Sequence, residues 1–151
     1  MAYTRTTWVS GETPLSADNM NNIEDGIQEI KNTVGTTYVA STSTSSSVSA
    51  NGYKKMLTLS LPAGVYVVTG HIQATSVPAN RFAAYVGTMD NPGVANDGIQ
   101  VHYSSVAYNS NLGLQTTAIV NLTDTTDVKL VCYSGAAVTV NSGILRAVRI
   151  K

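Results

Sequence analysis

Few side chains in this sequence combine the types and spacing that catalysis requires. The two histidines, His71 and His102, stand in predicted strands beside apolar residues, and no nucleophile-elbow, phosphate-loop or His-Glu-x-x-His pattern accompanies them. Cys132 lies between Val131 and Tyr133 in an apolar run, where a buried hydrophobic residue is expected. A nucleophilic thiol would need a neighbouring base, and the sequence identifies none. We therefore predict structural or surface roles for these three residues.

Carboxylates are equally scarce in the long segment after residue 36. It contains no glutamate, and its aspartates all lie in turn-like stretches: Asp90, Asp97, Asp124 and Asp127. Glycan hydrolysis needs paired carboxyl groups in a cleft, so a glycan-degrading enzyme has little support. Oxygens near Asp90 and Asp97 could bind calcium, but their spacing does not match an EF-hand loop, and Pro92-Gly93 explains them as turns. The sequence predicts no enzyme, no metal site and no cofactor.

Tyr and Asn supply the aromatic faces and neutral hydrogen-bonding groups that bind carbohydrates. Four such residues cluster around one predicted loop: Tyr103, Tyr108, Asn109 and Asn111. A second predicted loop carries Asn80 and Arg81. The alternative is that Tyr is simply favoured in strands and Asn in turns, with no binding role. The first four residues form our candidate site for a neutral or weakly charged polysaccharide.

Charge and composition exclude several classes of protein. The 151 residues carry nine Lys and Arg against nine Asp and Glu. Because affinity for duplex nucleic acid comes largely from Lys and Arg, this balance argues against a nucleic-acid partner. No apolar stretch reaches the roughly 18 residues of a membrane helix, and the first residues lack the apolar core of a signal peptide. We expect a soluble protein without membrane insertion or an intrachain disulfide, since there is one Cys.

One helix is predicted, over residues 16–35, with Ser16 as its N-cap and Gly35 as its C′ residue. Its apolar residues follow a 3-4-3-4 spacing typical of coiled-coil a and d positions: Met20, Ile23, Ile27, Ile30 and Val34. A lone short helix would ordinarily lay such a stripe on its own domain's core. This stripe is strictly a/d, however, and Ile at both positions favours three or four strands. We predict a homotrimer with these five residues as its seam, held chiefly by the segment that follows.

After Gly35 the apolar period changes to two, which predicts β-strands. Eight are expected, at 57–61, 65–72, 82–87, 99–107, 115–122, 128–133, 138–140 and 144–150. The first two look like an antiparallel pair joined by Pro62-Ala63-Gly64, and the last is expected inside a sheet. The Ser/Thr tract at 41–47 is typical of a linker or an exposed edge. Eight short strands separated by turns predict a sandwich or barrel.

The segment from Trp8 to Ile27 resembles the N-terminal motif of bacteriophage tail-fibre and baseplate proteins. The residues that carry the likeness are Trp8, Gly11, Thr13-Pro14-Leu15, Ala17, Met20-Asn21, Ile23-Glu24 and Gly26-Ile27. Less specifically, residues 61–66 and 144–150 look like strands from trimeric jelly-roll heads of fibres and of tumour-necrosis-factor-like proteins. The resemblance implies a mainly β, homotrimeric protein in three parts. These are a docking arm at 1–15, a trimeric coiled-coil helix at 16–35 and a jelly-roll-like β-sandwich head at 36–151.

The resemblance also implies a function. It indicates a virion protein of the tail, baseplate or capsid, made in the host cytoplasm. The arm would dock to other virion proteins, with Trp8 as its anchor, because exposed Trp is often an interface hot spot. The head would recognise a host cell-surface polysaccharide, although no receptor residue carries over because heads vary with their receptor. The alternative is a purely structural head fibre, decoration or baseplate protein without a receptor of its own.

Overall fold

The computed structural model describes residue 7 and residues 16–90, 98–104 and 106–151, with the backbone alone at residues 32, 76, 103, 108 and 109. The chain divides into two compact units, Met1–Thr36 and Thr37–Lys151. In its described part, the first unit is one helix, whereas the second is built from strands. The protein is therefore mainly β with one short helix, as the sequence predicted.

The helix, α1, spans Ala17–Thr33, and its ends are those that the sequence predicted. Ser16 has an extended backbone, and its Oγ accepts a hydrogen bond of 3.2 Å from the backbone N–H of Asn19. Gly35 has a φ of 85°, a left-handed conformation that Gly adopts at little cost after a helix. The arm at 1–15, with the anchor Trp8, lies outside the described residues except for Thr7.

The described residues of the second unit form nine strands, in two antiparallel sheets. They are β1 (Thr37–Thr42), β2 (Ser46–Val48), β3 (Gly52–Leu61), β4 (Gly64–Val77), β5 (Arg81–Gly87), β6 (Gly98–Tyr103), β7 (Tyr108–Leu122), β8 (Thr126–Ser134) and β9 (Val138–Arg149). The first sheet has the order β1-β9-β4-β7, and β2 also pairs with β9. The second sheet has the order β3-β8-β5-β6. As expected, the last strand lies inside its sheet.

Two strand predictions need correction. The tract at 41–47 is not a linker but contributes to β1 and β2, and β1 is the edge strand that the alternative interpretation expected. The strands predicted at 138–140 and 144–150 are one strand, β9, because Asn141 forms a bulge where Ala74 pairs with Val140 and Gln73 with Ser142. The Asn-Ser-Gly sequence that suggested a turn there therefore bends a continuous strand.

The predicted pairing of residues 57–61 with 65–72 is wrong. β3 pairs with β8, whereas β4 pairs with β7 and β9 in the other sheet. The segment between them crosses from one sheet to the other, and the hydroxyl of Tyr66 donates a hydrogen bond of 2.9 Å to the carbonyl of Pro62. Turn residues set the bend, but long-range pairing decides which sheet receives the next strand.

The main core lies between the two sheets. Alternate residues of β4, β7 and β9 point inward and meet inward residues of β5 and β8, as strand periodicity requires. Its largest fully buried side chains are Tyr66, Phe82, Leu61, Ile72, Leu130 and Leu145. A smaller second cluster of Ala83, Tyr85 and Val131 is buried on the opposite face of the second sheet.

Gly70 should not tolerate a side chain. A Cβ there would lie 2.6 Å from Leu130 Cδ1 and 2.7 Å from Val86 Cγ2, and both neighbours are fully buried. Gly70→Ala is expected to lower the free energy of unfolding by about 1–3 kcal/mol through overpacking. Gly143→Ala is the matched control, because its nearest atom would be Leu57 Cδ1 at 3.4 Å. Urea denaturation compares the two variants, and equal stabilities would contradict this packing.

Candidate functional site

The structure does not gather the four predicted glycan-binding residues around one loop. Tyr103 ends β6, whereas Tyr108, Asn109 and Asn111 lie within β7, so the predicted loop at 109–111 is wrong. The two strands belong to different sheets. Asn111 is held in place by Thr75, whose Oγ1 donates a hydrogen bond of 3.0 Å to Asn111 Oδ1. The backbone of Tyr103 lies opposite that of Arg81 on β5.

The other polar candidates are spread over the second unit. The aspartate at 124 lies in a turn, where its carboxylate accepts a hydrogen bond from Thr123, but Asp127 belongs to β8 rather than to a turn. Asp97 lies outside the described residues. Within the described part of the chain, no three His, Cys, Asp or Glu side chains group closely enough to hold a metal ion.

Cys132 is fully buried in the main core, as predicted. Burial raises the pKa of its thiol to about 12, because the apolar surroundings disfavour the thiolate. The side chain therefore packs as a small hydrophobic group.

The predicted seam of α1 is largely exposed in the single chain. Ile27 is 61% exposed and Ile30 63%, while Met20 and Val34 are each 47% exposed. Ile23 is partly buried. Within the described part of the single chain, the apolar stripe of this helix is therefore largely uncovered by other side chains.

A second exposed apolar surface lies on the outward side of the first sheet, which we call the five-strand face. Val39 of β1, Ile144 of β9 and Ile119 of β7 are 53%, 44% and 67% exposed there. Between them lies a shallow depression of about 350 Å³, lined by Thr69, His71, Gln115, Ile144 and Arg146. This face combines aliphatic and neutral polar side chains, with Arg146 as the charged residue of the depression.

The outward side of the second sheet is different, because it carries aromatic rings that pack against one another. Tyr53 of β3 lies 4.8 Å from Tyr133 of β8 and 5.9 Å from Tyr85 of β5, measured between ring centroids. The Arg81 guanidinium lies 4.9 Å from the centroid of the Tyr133 ring, and its Nη2 donates a hydrogen bond to the Tyr85 hydroxyl. We call Tyr53, Arg81, Tyr85 and Tyr133 the tyrosine–arginine cluster.

Two exposed asparagines border this cluster. Asn51 has a φ of 53°, and its Oδ1 accepts a hydrogen bond of 3.5 Å from the Tyr133 hydroxyl. The Oδ1 of Asn80 accepts a bond of 2.7 Å from the backbone N–H of Arg81. Gly135 leaves room for this side chain, because a Cβ there would lie 2.3 Å from Asn80 Oδ1. Asn51 is thus positioned beside Tyr133 and Asn80 beside Arg81.

The same face carries an excess of positive charge. Asp90 lies between two lysines, 3.2 Å from Lys129 Nζ and 3.6 Å from Lys55 Nζ. The hydrogen bond from Lys129 lowers the pKa of Asp90, so this carboxylate stays ionised at neutral pH. Lys55 lies opposite Val131 in register, and Lys129 lies two residues before Val131 on β8. Asp127 alternates with Lys129 and Val131 along β8 and shares their outward side, so with Arg81 three cations face two described carboxylates.

Sequence reasoning noted Arg81 and Asn80 but missed the tyrosines of the cluster. Tyr53, Tyr85 and Tyr133 lie on three different strands, so no local spacing joins them. The available signal was the placement of Tyr53 and Tyr133 near strand ends, Tyr53 two residues after Asn51 and Tyr133 next to Ser134. Only the strand order β3-β8-β5 brings the three rings together.

Comparison of the sequence with models of known protein families gives no match, and comparison with curated proteins gives none either. In the described part of the chain, no helix is long and apolar enough to cross a membrane.

The Cys132 thiol should be inert in the folded protein. A thiol with a pKa near 12 stays protonated at about pH 10, where a free thiol of ordinary pKa is mostly thiolate. A maleimide or disulfide reagent is expected to label Cys132 in denaturant but not in the native protein at either about pH 8 or about pH 10. Mass spectrometry measures the labelled fraction. Rapid labelling without unfolding would show that the thiol is accessible.

Proposed function

We propose that this chain forms a homotrimeric fibre or appendage of a bacteriophage virion and that its β unit binds a host cell-surface polysaccharide. The observation that carries the proposal is the exposed a/d stripe of α1, which overlaps the fibre-type motif in the sequence. Three such stripes bury one another in a parallel coiled coil, and Ile at a and d favours that number of strands over two. The arm at 1–15, with Trp8, would dock to other virion proteins.

The arrangement of the strands supports a jelly-roll-like head. Successive strands from β2 to β5 alternate between the two sheets, as do those from β6 to β9. Two sheets joined by repeated crossings and sharing one core are typical of that fold. Heads of this kind present loops and sheet faces to a ligand while the core stays rigid.

The five-strand face is the surface through which we propose that the heads associate. Its exposed Val39, Ile119 and Ile144 would lose contact with water against a second copy of the chain. The helix alone is too short to hold a trimer firmly, since about 18 residues with a central Gly are marginal in isolation. An apolar contact between heads supplies the missing stability.

The head's binding role is supported by its supply of uncharged hydrogen-bonding groups and tyrosine rings rather than by paired carboxylates. Asn51, Asn80 and Asn111 lie at the surface of the β unit, and the tyrosine–arginine cluster adds aromatic rings. These are the groups that contact sugar hydroxyls and ring C–H bonds. We therefore propose adhesion without catalysis, with three copies per trimer compensating for weak single-site affinity.

Ile27→Asp tests the seam. The variant places three carboxylates in one buried layer of the trimer, so α1 should fray in every chain while the β unit stays folded. The far-UV circular dichroism spectrum of the variant is expected to lose its helical component. Light scattering of the unaltered protein should give the mass of three chains. Gln28→Asp is the matched control, because Gln28 is exposed outside the stripe. Equal helicity in the two variants would contradict a buried seam.

Cell labelling tests the polysaccharide. Fluorescent full-length protein is expected to label cells of the phage's host strain, because three sites per trimer act together on a repeated receptor. Periodate, which cleaves vicinal diols, should abolish the labelling, whereas protease treatment of the cells should not. Absence of labelling, with antibodies against the β unit leaving phage adsorption intact, would favour the purely structural alternative.

A further inference from the structure

We propose that the tyrosine–arginine cluster is the saccharide-binding site of the head and that its ligand is a sugar unit bearing one acidic group, either a carboxylate or a phosphate. This inference rests on the proposed function and adds the site and the chemical class of the ligand. It departs from the sequence-based candidates, of which Tyr103 alone has its backbone beside the cluster, opposite Arg81.

Packing within the protein holds the three Tyr rings of the cluster in place without a ligand. Tyr85 is 1% exposed and lies beneath Tyr53 and Tyr133, which pack against the small cluster of Ala83, Tyr85 and Val131. Tilted ring pairs at 4.8 and 5.9 Å hold both upper rings in place. A Tyr side chain offers a large amphipathic contact and loses little conformational entropy on binding a ligand. These rings are already held by packing, so the remaining loss of entropy is small. The partly exposed upper rings therefore form a rigid platform for a pyranose.

Arg81 gives the platform its charge preference. Both ion pairs in the described part of the chain belong to Asp90, so no described carboxylate neutralises Arg81. Its Nη2 bonds to a neutral hydroxyl, its plane lies near the Tyr133 ring, and its Nε is buried. Because Arg81 is only partly buried, a ligand can contact its guanidinium. A guanidinium held in this way matches the paired oxygens of a carboxylate or phosphate.

The amide groups that border the cluster can bind the hydroxyl groups of a sugar. Asn51 and Asn80 each use their Oδ1 in a bond to the cluster, and because both residues are exposed, a ligand can contact their Nδ2–H donors. Sugar hydroxyls accept such bonds. Binding of a lone anion would not require amide donors beside the guanidinium. The combination of Arg81 with Asn51 and Asn80 therefore indicates a hydroxylated ligand with an acidic substituent.

The wider face favours a polymer of such units. Lys55 and Lys129 share Asp90, and Asp127 of β8 is a second described carboxylate on this side, so with Arg81 the described side chains of this face carry one positive charge in excess. That excess attracts a repeating anion and disfavours a second copy of the same face through like-charge repulsion. Val39, Ile119 and Ile144 lie on the five-strand face, whereas Ile99 of β6 is exposed opposite Tyr85. Association through the five-strand face leaves the cluster open in the proposed trimer.

Binding of three soluble polymers to the full-length protein tests the proposal. Polygalacturonate supplies carboxylates, poly(glycerol phosphate) supplies phosphates, and dextran is a neutral control. We expect at least one anionic polymer to bind and dextran not to bind, and the affinity to fall as NaCl rises from about 50 to about 500 mM. The polymer that binds identifies the acidic group.

Variants locate the site. Arg81→Gln is expected to weaken binding by about tenfold or more, because it removes a charge-assisted hydrogen bond, and Arg81→Lys should restore part of the loss. Asn80→Asp, which keeps the acceptor for the Arg81 backbone N–H, should also weaken binding by placing a negative charge beside the ligand. Lys151→Gln is the control, since it removes one positive charge from an exposed residue outside the strands of both faces.

Several outcomes would overturn the proposal. They are equal binding of dextran, no binding of either anionic polymer, or unchanged affinity in folded Arg81→Gln and Asn80→Asp proteins. A fall in molecular mass for Arg81→Gln would show that the cluster joins copies of the chain instead. If the polymers fail but periodate-sensitive labelling of cells persists, the site or ligand class is wrong and the proposed function stands. If both fail, the proposed function is wrong as well.

Discussion

The pairing of β9 with three other strands is the constraint on which the β unit depends. β9 bonds to β4 along one edge and to β1 and β2 along the other, so it joins both ends of the second unit into one sheet. The bulge at Asn141 lets a single strand serve two partners, because it separates the part that pairs with β2 from the part that pairs with β1. Both the five-strand face and the core beneath it follow from this arrangement.

The two sheets bury their inner sides against each other but treat their outer sides differently. On the first sheet, the aliphatic side chains of Val39, Ile119 and Ile144 stay exposed. On the second sheet, Tyr rings pack over Ala83 and Val131, although Ile99 on its outer strand is exposed. Under the proposed function, the first side serves association between copies of the chain and the second binds a polar ligand.

The charged side chains are also distributed unevenly over the β unit. The described cations of the second sheet's outer side exceed its carboxylates, although the whole chain has a formal charge of zero. Asp90 and Asp127 lie on that side, Asp124 lies in the turn before β8, and Asp18, Glu24, Asp25 and Glu29 belong to α1. A chain with zero net charge therefore has a local excess of positive charge on this side of the second sheet. Composition alone pointed to a neutral or weakly charged ligand because it averages over this distribution.

The sequence by itself determined the features that depend on near neighbours. Ser16, Gly35 and the apolar spacing between them define α1, because caps and helical periodicity act within a few residues. Alternation located most strands and placed Cys132 in the core for the same reason.

Only the tertiary structure decided which strands are neighbours. The sheet assignment of β3 and β4, the continuity of β9 and the pairing of β1 and β2 all rest on contacts between distant parts of the chain. The tyrosine–arginine cluster is the clearest case, since Tyr133 and Asn51 meet across 82 residues of sequence. No local pattern records such a meeting, because it follows from backbone pairing and core packing summed over the whole unit.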